Sequence, residues 1–175
     1  MGANVQWNAT TGTLNFGAAT QPPPPTEVLN NFPEVVPAYD VSNSTRVGTI
    51  SDISMGGIRY NDNILRFVNE SSTRPRVEHS RHNLGGRFTV LSGTLGRIDG
   101  GGSHAVPRVI NFIGDGRLLR SFEFSETDPP REITVDITVD ITGVTHLRIE
   151  FVAPESTSWN PTGTVPYALV NATVR

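Results

Sequence analysis

The 175-residue sequence contains no cysteine and no lysine, and it lacks both long apolar runs and helical periodicity. Without cysteine, the chain forms no disulfide and performs no thiol chemistry. No apolar run reaches the roughly 18 residues that a membrane-spanning helix needs. No segment keeps apolar residues at positions i, i+3, i+4 and i+7 without interruption by Gly, Pro or a β-branched residue. A disulfide scaffold, a membrane-spanning helix and a helical bundle are therefore excluded.

The charge of the chain is small and evenly spread. All 14 basic residues are arginines scattered along the sequence, and the net charge is −3. A protein that binds nucleic acid typically concentrates its basic residues in a patch or stripe. We therefore expect no nucleic-acid partner, and we attribute the missing lysine to the base composition of the source.

The sequence does contain many short strand signals separated by turns. They cover residues 46–50, 57–60, 64–68, 76–84, 87–95, 107–113, 117–124, 132–142, 144–152 and 167–174. In the clearest, alternate residues from Ile133 to Ile141 are apolar and the residues between them are Thr or Asp, which indicates one buried and one wet face. Asp115-Gly116 is a strong two-residue hairpin turn. This succession predicts an all-β protein, an antiparallel β-sandwich or jelly roll.

A proline-rich segment, residues 21–26, divides the chain. Before it, residues 4–7 and 13–16 have the alternation of two hairpin strands. Four consecutive prolines favour a stiff polyproline II spacer. The predicted domains are a hairpin in residues 1–20, the linker, and a sandwich in residues 27–175. Because a lone hairpin is marginally stable in water, we expect it to dock, to pair with another copy or to belong to a preceding domain.

No pattern typical of a catalytic centre is present. His79 and His82 are three apart on a strand and face opposite sides, so we expect both to be surface polar residues. Asp136 and Asp140 share a strand face but lie ~13 Å apart, which exceeds the separation of a glycosidase carboxylate pair. Asp115 fits a hairpin turn better than a nucleotide-binding loop, because no helix follows it. We therefore predict that the protein is not an enzyme.

A sugar site requires an aromatic platform and a few planar polar groups. The loop residues that fit this description are Trp159, Asn160, Tyr60, Asp62 and Asn63. For Trp159 two interpretations stay open, a platform for a sugar ring or a cover over one end of the sandwich. Asp99 is the best candidate ligand for a structural calcium ion, since jelly rolls often bind one through loop carbonyls and a carboxylate. No other cofactor is expected.

Residues 27–175 resemble the NPCBM carbohydrate-binding modules, which are galactose-binding-like jelly rolls. The matching stretches are 55–60, 84–96, 112–119 and 139–147. The sequence departs from the family pattern twice, because Asp99 stands alone where an acidic pair is usual and no acid follows Trp159. The resemblance implies a non-catalytic, carbohydrate-binding accessory module of a secreted or cell-surface bacterial protein.

The N-terminal hairpin resembles the last strands of a copper-amine-oxidase-N-terminal-like domain, and this fragment carries no histidine cluster for copper. It is therefore interpreted as a remnant of such a preceding domain. The alternative function is a structural or protein-interaction module that spaces or oligomerises surface domains without a small-molecule ligand. We recognise no signal peptide, so the extracellular or cell-surface location follows from the resemblance alone.

Overall fold

The computed structural model describes residues 4–8, 13–17, 25–35, 47–69, 76–100, 108–124, 134–153 and 165–175. These residues form β-strands and one short 3-10 turn, Leu29–Asn31, so the prediction of an all-β fold is confirmed. The strands are β1 (Asn4–Asn8), β2 (Thr13–Gly17), β3 (Glu27–Val28), β4 (Pro33–Val35), β5 (Val47–Ile50), β6 (Ile53–Met55), β7 (Ile58–Tyr60), β8 (Ile64–Asn69), β9 (Arg76–Asn83), β10 (Val90–Arg97), β11 (Arg108–Gly114), β12 (Arg117–Phe124), β13 (Thr134–Asp140), β14 (His146–Ala153) and β15 (Val165–Val174).

Two antiparallel sheets form the sandwich. The six-stranded sheet has the order β13-β10-β15-β8-β5, and β3 also pairs with β15. The five-stranded sheet has the order β12-β11-β14-β9-β4. Along β14, Leu147, Ile149 and Phe151 are buried as the alternation predicted, and the intervening Arg148 and Glu150 face outwards.

Aromatic side chains from both sheets meet in one shared core. Phe67 of the six-stranded sheet lies 6.0 Å from Phe151 of the five-stranded sheet, measured between ring centroids. Tyr167 lies 5.4 Å from Phe151 and 4.9 Å from Phe124. Burying one such side chain contributes about 1.5–3 kcal/mol, so these contacts hold the two sheets together.

A second, smaller apolar cluster lies on the outer face of the six-stranded sheet. Ile64, Ala168 and Val170 point away from the shared core, since they alternate with residues that point into it. The short hairpin β6–β7 covers them with Ile53 and Met55. The strand signals in the sequence predict β7 but not β6.

Two expectations about individual side chains are wrong. His82 is fully buried instead of lying on the surface, because β9 directs it inwards together with Ser80, and its Nε2 lies 3.1 Å from Ser80 Oγ. Val135 is 38% exposed although its strand was predicted to bury it, and it lies one residue from the start of the edge strand β13. Ile137 and Val139, further along β13, are buried as predicted.

The predicted N-terminal hairpin is present as the antiparallel pair β1–β2. Its register places Val5 opposite Phe16 and Trp7 opposite Leu14. Its status as a remnant of another domain and the boundaries of the linker stay predictions. In the part of the chain that the structure describes, no helix is long and apolar enough to cross a membrane.

Candidate functional site

The loop residues predicted for sugar binding are only partly within the described residues. Trp159 and Asn160 lie outside them. Asp62 is exposed, and Tyr60 is partly buried because its side chain packs against the apolar cluster under the β6–β7 hairpin. Asn63 adopts a φ of 52°, and its carbonyl accepts a hydrogen bond from Asn171 N at 3.2 Å. These three residues form one connected turn, and their role in binding stays a prediction.

Asp99 lies at the opposite end of the β6–β7 hairpin and fastens its turn. Its Oδ1 accepts a hydrogen bond from Gly56 N at 3.0 Å, and its Oδ2 accepts one from Gly57 N at 2.9 Å. Asp99 N donates to Ser54 O at 2.8 Å. Each carboxylate oxygen thus uses one lone pair on the hairpin, and a calcium ion would have to bind the remaining ones. Calcium at Asp99 stays a prediction, and no group of three or more His, Cys, Asp or Glu side chains among the described residues could hold a metal.

The five-stranded sheet carries a surface cleft of about 240 Å³ where the β11–β12 turn meets the start of β14. It is open to solvent. The residues that line it are Arg81, Ile113, Asp115, Gly116, His146, Leu147 and Arg148. Leu147 is buried and belongs to the shared core, so the cleft floor is continuous with the rigid part of the sandwich.

Asp115 fixes the shape of this cleft. Asp115 and Gly116 adopt φ values of 47° and 84°, which are those of the tight hairpin turn predicted from the sequence. The carboxylate accepts hydrogen bonds from Thr145 N at 3.0 Å and from His146 N at 2.8 Å. These backbone hydrogen bonds lower the pKa of Asp115, so it stays ionised and clamps the start of β14 to the turn.

Two arginines stand side by side on the outer face of the sheet next to this turn. The register of β14 with β9 places Arg148 directly opposite Arg81, and the register with β11 places it opposite Ile113. Arg148 Nε lies 3.0 Å from Glu150 Oε1 on the same strand. The cleft therefore combines guanidinium and imidazole groups, one carboxylate and an aliphatic wall.

Arg81, Arg148 and His146 are not among the site residues predicted from the sequence. Alternation along β14 does predict that Arg148 faces outwards. The meeting of Arg148 with Arg81, 67 positions earlier in the chain, follows from the pairing of β14 with β9. No local pattern encodes that register, so no signal within either strand could have identified the pair.

The carboxylates considered for catalysis are exposed and hydrogen-bonded to hydroxyl groups. Asp136 Oδ1 accepts a hydrogen bond from Thr94 Oγ1 at 2.7 Å. Asp140 Oδ1 accepts from Thr142 Oγ1 at 2.7 Å and from Thr142 N at 2.9 Å. These hydrogen bonds lower the pKa of Asp140, which places it among ionised surface groups.

Comparison with solved structures shows which known fold this sandwich shares. The CBM51 module of GH95 from Clostridium perfringens, solved with methyl-galactose, superimposes with a TM-score of 0.58 and 7% sequence identity, covering 86% of this chain and 100% of that one. The present chain therefore has the fold of the CBM51 jelly rolls. The tandem CBM51 modules of the family 98 glycoside hydrolase Sp3GH98 from Streptococcus pneumoniae SP3-BS71 give a TM-score of 0.55 at 14% identity, covering 85% of this chain and 46% of that one.

A third similar structure contains CBM51-2, in complex with GlcNAc, and INT domains from Clostridium perfringens ZmpB. Its TM-score is 0.51 at 13% identity, and the match covers 86% of this chain and 31% of that one. No family model and no curated protein matches the chain. The chain therefore has the jelly-roll fold of these CBM51 modules, and its galactose-binding-like and NPCBM assignments stay predictions.

Proposed function

We propose that the protein is a non-catalytic carbohydrate-binding module. The observation that carries this proposal is the likeness in fold over the full length of a CBM51 module that was solved with methyl-galactose. The cleft on the five-stranded sheet supports it, because this cleft places several polar side chains beside an aliphatic one.

The cleft offers the groups that a sugar requires. Sugar hydroxyls both donate and accept hydrogen bonds, so a site needs donors and acceptors together. Arg81, Arg148 and the exposed His146 supply donors, and Asp115 keeps a lone pair on each oxygen beyond its two backbone hydrogen bonds. Ile113 adds an aliphatic contact for the apolar face of the ring. The predicted turn at Tyr60, with Trp159 and Asn160, is the competing location.

The biological setting proposed here follows from resemblance. The NPCBM-like stretches favour an accessory module of a secreted or cell-surface bacterial protein, positioned next to other domains. A calcium ion at Asp99 would stabilise such a module, and the glycan would be its main partner.

Titration against a glycan panel tests the proposal and locates the site. The panel contains methyl-galactoside, GlcNAc, neutral polysaccharides and acidic polysaccharides, and binding is measured by calorimetry and affinity electrophoresis. We expect His146→Ala to weaken binding about tenfold, the loss of one good hydrogen bond and a ring contact, and Tyr60→Ala to leave it unchanged. The opposite pattern would assign binding to the predicted turn. Silence across the whole panel would overturn the proposal.

In that event the alternative function, a structural module that self-associates through the β1–β2 hairpin, becomes the better account. The hairpin pairs apolar positions across its two strands, Val5 with Phe16 and Trp7 with Leu14. An exposed strand edge is a template for pairing with another copy. Light scattering of the chain with and without residues 1–20 decides it, because a monomer in both cases contradicts self-association.

A further inference from the structure

We propose that Arg81 and Arg148 form a subsite for the acid group of an anionic sugar, a carboxylate or a sulfate. This inference rests on the proposed glycan-binding function and names the class of glycan. The neighbouring aliphatic side chains Ile113 and Leu118 would then contact the ring that carries the acid group.

The strand register places the two arginines next to each other. Arg81 and Arg148 are direct cross-strand partners in the antiparallel pair β9–β14. Like charges at such positions destabilise a sheet, since their side chains leave the same face about 5 Å apart. An anion bound between the two guanidinium groups would remove this repulsion, and each planar guanidinium can donate two parallel hydrogen bonds to it.

The two arginines differ in their ion pairs. Arg148 forms an ion pair with Glu150, in which Arg148 Nε lies 3.0 Å from Glu150 Oε1. Among the described residues, Arg81 has no carboxylate within ion-pair distance, and its side chain is exposed. Asp115 lines the cleft, but both of its oxygens are turned to the backbone N–H groups of β14 and its preceding residue. Among the described residues of the cleft, Arg81 is therefore a guanidinium without an ion-pair partner.

A row of apolar side chains continues from the arginines across the sheet. The residue opposite Arg148 on β11 is Ile113, and the residue opposite Ile113 on β12 is Leu118. Leu118 is 57% exposed, so its aliphatic surface continues the row on the outer face of the sheet. Neighbouring strands are about 4.8 Å apart. If the acid group binds at the arginines, the ring that carries it would lie over Ile113, and the next sugar ring would lie over Leu118. A linear acidic glycan fits this row of four side chains.

Affinity electrophoresis of the full chain tests the subsite with polygalacturonate as the carboxylate probe, dextran sulfate as the sulfate probe, and galactan and dextran as neutral controls. We expect tighter binding to at least one acidic polymer than to its neutral counterpart. Arg81→Gln and Arg148→Gln should each weaken that binding at least about tenfold, because a charge-assisted pair of hydrogen bonds is lost. The matched control is Arg120→Gln, an exposed arginine of the same sheet outside the cleft, which should change it less than about twofold.

Circular dichroism of each variant confirms folding, and Arg81→Lys keeps the charge without the planar fork, so it should bind with intermediate strength. Raising the salt concentration from about 50 to about 500 mM screens exposed charges. It should therefore weaken binding to the acidic polymers but not to the neutral ones. Equal affinity for acidic and neutral polymers, or acidic binding that survives Arg81→Gln, overturns the subsite and leaves glycan binding intact. Binding to no polymer or sugar at all overturns the proposed function as well.

Discussion

The two sheets of the sandwich share one core but differ on their outer faces. On the six-stranded sheet, the β6–β7 hairpin seals a second apolar cluster around Met55, Ile64 and Val170. On the five-stranded sheet, the corresponding positions of β9 and β14 carry Arg81 and Arg148, and no apolar cluster of described residues lies above them.

The covered outer face contributes to the stability of the fold, whereas the open outer face is available to a ligand. Covering one sheet extends the buried apolar surface, which stabilises the fold but removes that face from contact with ligands. The other sheet keeps charged and polar side chains in fixed strand positions, where the backbone ladder holds them rigidly. A site for a small ligand needs a concave surface with a few precisely placed polar groups, so we place the proposed subsite there.

The strongest test of the comparison is to truncate one side chain on each outer face. Met55 is fully buried under the hairpin, so Met55→Ala should lower the free energy of unfolding by about 2–5 kcal/mol through lost burial and a cavity. Val77, on the outer face of the five-stranded sheet, is 51% exposed, so Val77→Ala should cost less than about 1 kcal/mol. Urea denaturation of both variants measures this, and equal losses would show that the two faces are buried alike.

A second prediction concerns the inner face of the five-stranded sheet, where β9 buries the polar side chains of Ser80 and His82. Burial lowers the pKa of His82 to about 4, only partly opposed by a backbone hydrogen bond involving Leu29. Between the ordinary histidine pKa of 6.5 and about 4, the unfolded chain binds a proton that the folded chain excludes. Stability should therefore fall by about 3 kcal/mol as pH decreases through this window.

Chemical denaturation at several pH values checks this, with His82→Gln and His79→Gln as matched variants of the same strand. The slope between pH 6.5 and 4 should disappear in His82→Gln and persist in His79→Gln. Asp115, whose pKa is lowered from 3.8 by backbone hydrogen bonds, loses its contribution only at lower pH. A flat profile in the unmodified protein would contradict the buried neutral histidine.

The smallest expected effect concerns Asp99, whose carboxylate holds the turn of the β6–β7 hairpin. Asp99→Ala removes the two hydrogen bonds to Gly56 N and Gly57 N and should cost about 1–3 kcal/mol. Hydrogen exchange at the amides of Gly56 and Gly57 should accelerate, whereas Asp62→Ala in the exposed turn at the other end should leave it unchanged. Thermal unfolding with calcium and with a chelator adds the metal test, since a calcium-dependent rise that Asp99→Ala abolishes would support the predicted ion. Unchanged exchange in Asp99→Ala would show that the hairpin is held by its apolar contacts alone.

Most strands could be predicted because their signals are local. The hairpin turn Asp115-Gly116, the strand residues 117–124 and the inward set of β14 are written in adjacent residues, and the structure confirms all three. His82 was misjudged because alternation shows that it and His79 face opposite sides without showing which side is the core. A strand with polar residues on both faces carries no hydrophobic signal to settle that choice.

The candidate site divides in the same way. Asp115 was assigned its turn from sequence, but its clamp on β14 joins residues about thirty positions apart. Asp99 is an isolated carboxylate in the sequence, and its partners Gly56 and Gly57 lie more than forty positions away. The contacts of both residues depend on strand order, which short-range patterns do not contain.

The sequence by itself determined the all-β class, the positions of the turns and the alternating faces of the clearest strands, because the side-chain period of two and the turn chemistry act between neighbours in the chain. The tertiary structure alone decided which outer face is covered, which histidine is buried and which arginines stand opposite each other. Those features depend on cross-strand register between distant segments, and register is fixed only when the two sheets close over their shared core.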